Sequence, residues 1–160
     1  MPKNKPIYCW DTSIFTAWIK NEQRPSGEME GVAEIAEKVQ GNKAILIASQ
    51  MLNVELLECK LPTGAMEKIQ RFFKRKNAQL RPMDGRISTL AGSLRNAHAK
   101  LTSPDAIHLA TAIYYEADEF HTFDDGKKGG ISLLDLSGNV GGHPLVICKP
   151  VFTQYRLPGF

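Results

Sequence analysis

Five apolar residues in a row, Ala44-Ile45-Leu46-Ile47-Ala48, lie between Gly41-Asn42-Lys43 and Ser49-Gln50. The run is too short for a buried helix and does not alternate. It predicts a strand buried on both faces, the condition of a strand inside a parallel sheet. Parallel strands need crossover connections, and the flanking sequence supplies them. Ile7 to Trp10 is a second short apolar run, ended by Asp11-Thr12-Ser13 and followed by a helical segment from Ile14 to Ile19. Met29, Val32, Ala33, Ala36 and Val39 recur at helical spacing until Gly41-Asn42 stops them. Ser49 is placed to cap a helix running through Leu52, Leu56 and Cys59 to Lys60, which Pro62-Thr63-Gly64 breaks. Ala65 to Lys76 and Asp84 to Ala99 are amphipathic helices, with a third strand at Gln79 to Met83 between them. Ser103-Pro104-Asp105 reads as a helix start: a capping Ser, Pro at the first position and an acid at the positive end of the dipole. That helix runs to Glu116. Glu119 to Phe123 is a fourth strand and Leu145 to Cys148 a last one. Strands alternating with helices predict an α/β fold with a mainly parallel sheet of four to five strands, covered on both faces.

A chain of 160 residues has room for one such domain. Residues 1–150 would form it. Residues 151–160 follow Lys149-Pro150 as a tail whose Phe152, Tyr155, Leu157 and Phe160 are too apolar for a solvated end. The tail is expected to lie extended over the domain or over a dimer partner. Three cysteines, Cys9, Cys59 and Cys148, stand far apart in apolar stretches. They read as buried free thiols of a reducing compartment rather than a disulfide framework. The longest nearly apolar run, Leu109 to Tyr115, is far short of the ~20 residues a membrane span needs. The basic N-terminus leads into no long apolar region, so a signal peptide is not expected and the reading is cytoplasmic.

In a doubly wound fold the ligand site lies outside the carboxyl ends of the strands. Acids gather there. Asp11 directly follows the first strand, and Asp124 and Asp125 follow the fourth. Asp105 opens the helix before the fourth strand, and Glu55 sits within the helix after the second. Clustered carboxylates stay ionised together only with a cation between them. Hard oxygen ligands suit Mg²⁺ or Mn²⁺, and such an ion serves phosphoryl chemistry. Each acid also has an ordinary role open to it. Asp11 can cap a helix, Asp105 can be a first-turn acid, and Asp124-Asp125-Gly126 can be a turn. Glu58 rivals Glu55 for the inward position.

Four stretches together resemble a known family. They are Tyr8-Cys9-Trp10-Asp11-Thr12-Ser13, Ser49-Gln50-Met51-Leu52-Asn53-Val54-Glu55, Pro104-Asp105-Ala106-Ile107-His108-Leu109-Ala110-Thr111-Ala112, and His121-Thr122-Phe123-Asp124. Their order and spacing resemble the PIN domain, a metal-dependent nuclease fold that includes the VapC-like toxins of bacterial toxin–antitoxin pairs. The resemblance implies a three-layer α/β/α domain. It implies that Asp11, Glu55, Asp105 and Asp124 are the catalytic acids and hold Mg²⁺ or Mn²⁺, directly or through water, with Asp125 as a further candidate ligand. Ser13 and Thr122 would support them by hydrogen bonds. It further implies an endoribonuclease with an RNA substrate, a small antitoxin as partner, and a homodimer. The tail runs past the point where many of the shorter toxins stop.

The charge distribution agrees with a polyanionic substrate. With those five acids set against metal, the 17 acidic residues fall to 12, facing 20 basic ones. Arg86, Arg95 and Lys100, near Asp105 in sequence, and Lys127 beside Asp124 are candidate phosphate contacts. In Arg71-Phe72-Phe73-Lys74-Arg75-Lys76 the phenylalanines are expected to pack inward and the charges to face water. His108, three residues after Asp105, fits either the cleft or a structural role, and the structural role is favoured. The helices at 29–39 and 65–76 would offer a partner helix an apolar groove. Two other readings stand beside the nuclease. One is a PIN fold without chemistry that serves as a nucleic-acid or protein scaffold. The other is a phosphoacceptor signalling domain, suggested by Asp11 and by Lys149-Pro150 but leaving Glu55 and Asp105 unexplained.

Overall fold

The computed structural model describes residues 5–124, 126 and 131–151. Five strands, β1 (Ile7–Trp10), β2 (Ile45–Ser49), β3 (Ala78–Arg81), β4 (Glu119–His121) and β5 (Val146–Cys148), form one sheet in the order β3-β2-β1-β4-β5. Every pairing is parallel, with Tyr8 beside Leu46 on one side and Glu119 on the other. The chain winds outward from β1 in both directions, so the topological switch lies at the carboxyl ends of β1 and β4.

Side-chain alternation along the strands builds two separate cores. Trp10, Leu46, Ala48 and Ala78 point to one face, under α1 (Thr12–Lys20), α2 (Glu28–Gln40), α3 (Met51–Leu57) and α4 (Ala65–Phe72). Cys9, Ile47, Phe120 and Ile147 point to the other, under α5 (Gly85–Ala97) and α6 (Ser103–Tyr114). The result is the expected α/β/α layering. Truncating Leu46 or Ile14, both fully buried, would cost about 2–5 kcal/mol each.

Several boundaries differ from the sequence expectation. The cap of α6 is Thr102, whose hydroxyl accepts from the Asp105 N–H at 3.2 Å, so Ser103 is already helical and Pro104 is second. Ser49 ends β2 and still serves α3, its Oγ accepting the Met51 N–H at 3.0 Å. The α3 and α4 helices stop earlier than expected, at Leu57 and Phe72, and β3 begins one residue earlier. A short 3-10 turn at Leu133–Leu136 lies between β4 and β5 and inserts Leu133 and Leu136 under the second core. Phe72 is buried and Phe73 packs beside it, as the amphipathic reading requires. Only Cys9 is a buried thiol, while Cys59 and Cys148 are half-buried, because both follow the last inward position of their elements. Among the described residues no helix is long and apolar enough to cross a membrane. Residues 152–160, which carry the expected tail contacts, lie outside the described residues.

Candidate functional site

The switch point fixes where the acids meet. Asp11 directly follows β1, and its backbone N–H extends the β1–β4 ladder by donating to the His121 carbonyl at 3.2 Å. Its side chain turns back to cap α1, accepting the Ser13 N–H at 3.0 Å. Ser13 Oγ donates to the same oxygen at 2.5 Å, and Thr122 Oγ1 donates to the other at 2.6 Å. Thr122 Oγ1 in turn accepts the Asp124 N–H at 2.9 Å, and Ser13 Oγ accepts the Phe123 N–H at 3.0 Å. Asp124 Oδ1 accepts the Gly126 N–H at 3.0 Å. Ser13 and Thr122 thus knit the ends of β1 and β4 into one rigid unit holding two carboxylates.

Asp105 and Glu55 enter from the helices. Asp105 lies in the first turn of α6, and Glu55 on α3 turns inward while Glu58 stays exposed. Glu55 Oε1 accepts from Thr12 Oγ1 at 2.7 Å and lies 2.5 Å from His108 Nε2. Glu55, Asp105 and Asp124 line one open cavity of about 780 Å³ together with Thr12 and Ser13, while Asp11 is buried behind Ser13, close enough for its charge to act on Asp105. Arg24 and Lys100 stand on the same wall.

The electrostatics register the crowding. Burial pushes the Asp105 carboxyl up to about 6, and the nearby Asp11 and Asp124 charges add to the rise. Burial also raises Asp11, against the pull of its Ser13 and Thr122 hydrogen bonds. For Glu55 burial acts upward as well, but the His108 hydrogen bond and charge, with the Thr12 bond, outweigh it and leave the carboxyl below its ordinary value.

Two of the basic candidates are elsewhere. Arg86 pairs with Asp84 at 2.8 Å and lies over the Tyr114 ring, and Arg95 donates to the Leu101 carbonyl at 3.0 Å beside a smaller cleft. Asp125 and Lys127 lie outside the described residues. Three residues gain a place that the sequence reading withheld. Thr12 had no signal beyond its position between Asp11 and Ser13. Arg24 sits in the loop before α2 with its guanidinium 3.9 Å above the Phe123 ring, held by Glu28 and Glu22. His108 faces the cavity's acids instead of serving the core alone.

A profile of the PIN domain matches residues 8–128. The chain belongs to the PIN domain family. A comparison with curated protein sequences finds no match. Among solved structures, this PIN domain is similar to VapBC2 from Rickettsia felis bound to a promoter DNA fragment, at 15% identity and a TM-score of 0.60, over 88% of this chain and 98% of that one. It is similar to a toxin–antitoxin complex from Klebsiella pneumoniae at 19% identity and a TM-score of 0.55, over 91% and 98%. It is also similar to VapC20 from Mycobacterium tuberculosis, a toxin that cleaves the sarcin–ricin loop, at 14% identity and a TM-score of 0.54, over 78% and 96%. At these identities the likeness is one of fold.

The PIN fold implies a divalent cation, and the donor set fits one. The cavity offers hard carboxylate oxygens, and Asp105 resists ionisation beside Asp11 and Asp124 without a compensating positive charge. A second group, Glu119, His121 and Cys148, brings three potential ligand atoms within 4.8 Å on the β4–β5 edge. It fits a metal poorly. Trp10 Nε1, a donor only, gives its hydrogen to His121 Nδ1 at 3.0 Å. The imidazole hydrogen is therefore on Nε2, where it bonds Glu119 Oε1 at 2.9 Å, and that nitrogen has no lone pair to give. Cys148 Sγ reaches the same carboxylate at 3.2 Å.

Proposed function

We propose that this PIN domain is a Mg²⁺- or Mn²⁺-dependent endoribonuclease acting as a VapC-like toxin. The observation that carries the reading is the meeting of Glu55, Asp105 and Asp124 at one open cavity that Arg24 and Lys100 also line, with the Asp11 charge acting on Asp105 from beneath Ser13. Those four acids would hold the cation. When bound, it would supply a nucleophilic water at neutral pH and neutralise charge on the scissile phosphodiester. The chain's own residues do the rest. Ser13 and Thr122 fix Asp11 at both oxygens, and the Gly126 N–H fixes Asp124, so the acids are ordered before substrate arrives. Lys100 is exposed at the cavity and can meet a backbone phosphate, whereas Arg24, also on the lining, is engaged by Glu22 and Glu28.

The similar structures from Rickettsia felis and Klebsiella pneumoniae are toxin–antitoxin assemblies, and this supports a small antitoxin as partner here. Half-buried Met29 on α2 and Met66 on α4 provide apolar contacts for a partner helix. A homodimer and a cytoplasmic site of action belong to the same reading. The test is cleavage of total RNA by the purified chain with Mg²⁺ or Mn²⁺, run beside Asp11→Asn, together with growth on induction of each. Metal-dependent cleavage and growth arrest by the wild type alone support the toxin. Cleavage with harmless expression favours an RNA-processing nuclease, and no cleavage with any divalent ion favours a scaffold.

A further inference from the structure

Of the four acids, Glu55 has the longest side chain and sits within a helix, not at a strand end. Yet one of its oxygens is tied to two other helices. Oε1 accepts from Thr12 Oγ1 of α1 at 2.7 Å and lies 2.5 Å from His108 Nε2 of α6, and the Thr12 and His108 atoms are themselves 3.3 Å apart. His108 sits one turn beyond Asp105, and its side chain is 1% exposed. Its other ring nitrogen, Nδ1, is buried with no hydrogen-bond partner among the described residues.

These contacts settle the role of the ring. Nε2 faces a carboxylate oxygen, which only accepts, so Nε2 carries the hydrogen and donates. Nδ1 has no partner among the described residues, so the ring meets the site through Nε2 alone. With its hydrogen on Nε2 the ring has no lone pair directed at the cavity and does not ligate an ion there. Glu55 Oε2 carries no hydrogen bond among the described residues and belongs to a side chain lining the cavity.

We infer that His108, together with Thr12, is a positioning residue that holds Glu55 by Oε1 and leaves Oε2 as the oxygen offered to a divalent cation. The inference rests on the proposed function, since it concerns a ligand to the nuclease's metal. It makes α6 carry two parts of the site: Asp105 as an acid, and His108 as the brace for the acid on α3. The Asp-Ala-Ile-His spacing puts both on the same side of the helix, one turn apart.

The test is Mn²⁺ binding to the full chain by calorimetry, with the metal alone and no RNA. His108→Leu is expected to weaken Mn²⁺ binding by about 10- to 100-fold, the range typical of residues that orient a metal ligand. Thr12→Val should weaken it less. His108→Gln, whose amide nitrogen can take the place of Nε2, should keep most of the affinity. In a Glu55→Gln background the His108→Leu effect should vanish, which a merely structural role would not produce. Melting curves in EDTA report whether each variant is folded. If His108→Leu does not fold, Thr12→Val and its coupling to Glu55→Gln decide the matter. Wild-type affinity in His108→Leu, or an equal loss in the Glu55→Gln background, overturns the inference while Asp11→Asn still fails to bind. A wild type that takes up no Mn²⁺, or an Asp11→Asn variant that binds it equally, overturns the proposed function and this inference with it.

Discussion

Buried beside the Asp11 carboxylate, the Asp105 carboxyl is held at about 6, well above the ordinary aspartate range. A carboxyl raised on folding stabilises the fold only while protonated. Its contribution is fully present below the unfolded value of about 4 and is lost as pH rises through about 6. The metal-free protein should therefore lose on the order of 2–3 kcal/mol across that window. Asp105→Asn cannot ionise and escapes the loss. In EDTA the two proteins should melt together near pH 4, and the variant should melt several degrees higher at pH 7. Mn²⁺ at about 1,000-fold its Kd should reverse the order, since it adds about 4.1 kcal/mol to the wild type. Melting curves against pH, with and without metal, check this. A variant that melts lower at pH 7 in EDTA would make Asp105 an ordinary first-turn acid.

Asp11 should behave differently. Charge crowding alone predicts that Asp11→Asn also raises the melting temperature without metal. The structure adds three donors to that account: the Ser13 N–H, Ser13 Oγ and Thr122 Oγ1 all give hydrogens to this carboxylate. An asparagine keeps one acceptor oxygen and turns an NH₂ toward a donor, at a cost of about 1–3 kcal/mol. The relief of repulsion is cancelled or exceeded, and the EDTA melting temperature should stay level or fall. The same melts measure it, and a gain equal to that of Asp105→Asn would show that the hydroxyl bonds contribute little.

The two acids show how far the sequence could be read. Their placement was legible because apolar runs mark strands, and a residue following a strand must lie at the sheet's edge. The topological switch made Asp11 and Asp124 neighbours, and the helix start before β4 brought Asp105 to them. What was not legible depends on contacts between distant segments. Thr12 matters through Glu55, 43 residues away, and His108 through Glu55 at a separation of 53. No local periodicity encodes either pair. The basic candidates near Asp105 in sequence divide by their local contacts: Lys100 lines the acid cavity, and Arg86 and Arg95 do not. Closeness in sequence to Asp105 put Arg86 and Arg95 forward, but Asp84 and the Leu101 carbonyl engage them locally. The cap of α6 shifted by one residue because Thr102 and Ser103 both carry capping hydroxyls, and the pattern alone does not choose between them.

The contrast between Lys100 and Arg86 is measurable. Lys100 stands on the wall of the acid cavity, whereas Arg86 is paired with Asp84 away from it. In an Asp105→Asn background, to suppress cleavage, Lys100→Ala should weaken binding of a labelled single-stranded RNA several-fold. It should also lower the slope of log affinity against log salt by about 0.7, the value of one lost phosphate contact. Arg86→Ala and Arg95→Ala should change neither. Fluorescence anisotropy across a salt series gives both quantities. An Arg86→Ala effect as large as that of Lys100→Ala would place the RNA on a different face.

The last expectation concerns the Glu119, His121 and Cys148 group, which stands at metal-ligand distances and yet should stay metal-free in the wild type. The reason is Trp10. Its indole N–H occupies His121 Nδ1 in the buried core and so keeps the imidazole hydrogen on Nε2, the nitrogen nearest Glu119. A metal at Nε2 would need that hydrogen to move to Nδ1, where it would meet the indole hydrogen head-on. Two opposed donors in a site with no exposure cost several kcal/mol, enough to offset much of a metal's affinity. Co²⁺ added to the wild type should thus give no thiolate charge-transfer absorption. Trp10→Phe removes the opposing hydrogen and keeps an aromatic ring in the core. It should lower stability by about 1–3 kcal/mol through the smaller ring and the lost hydrogen bond. It should also let His121 take the other tautomer and bring up a thiolate–Co²⁺ band that Cys148→Ser abolishes. A band of equal strength in the wild type would mean that Trp10 does not control the ring, and that this edge of the sheet is a metal site in its own right.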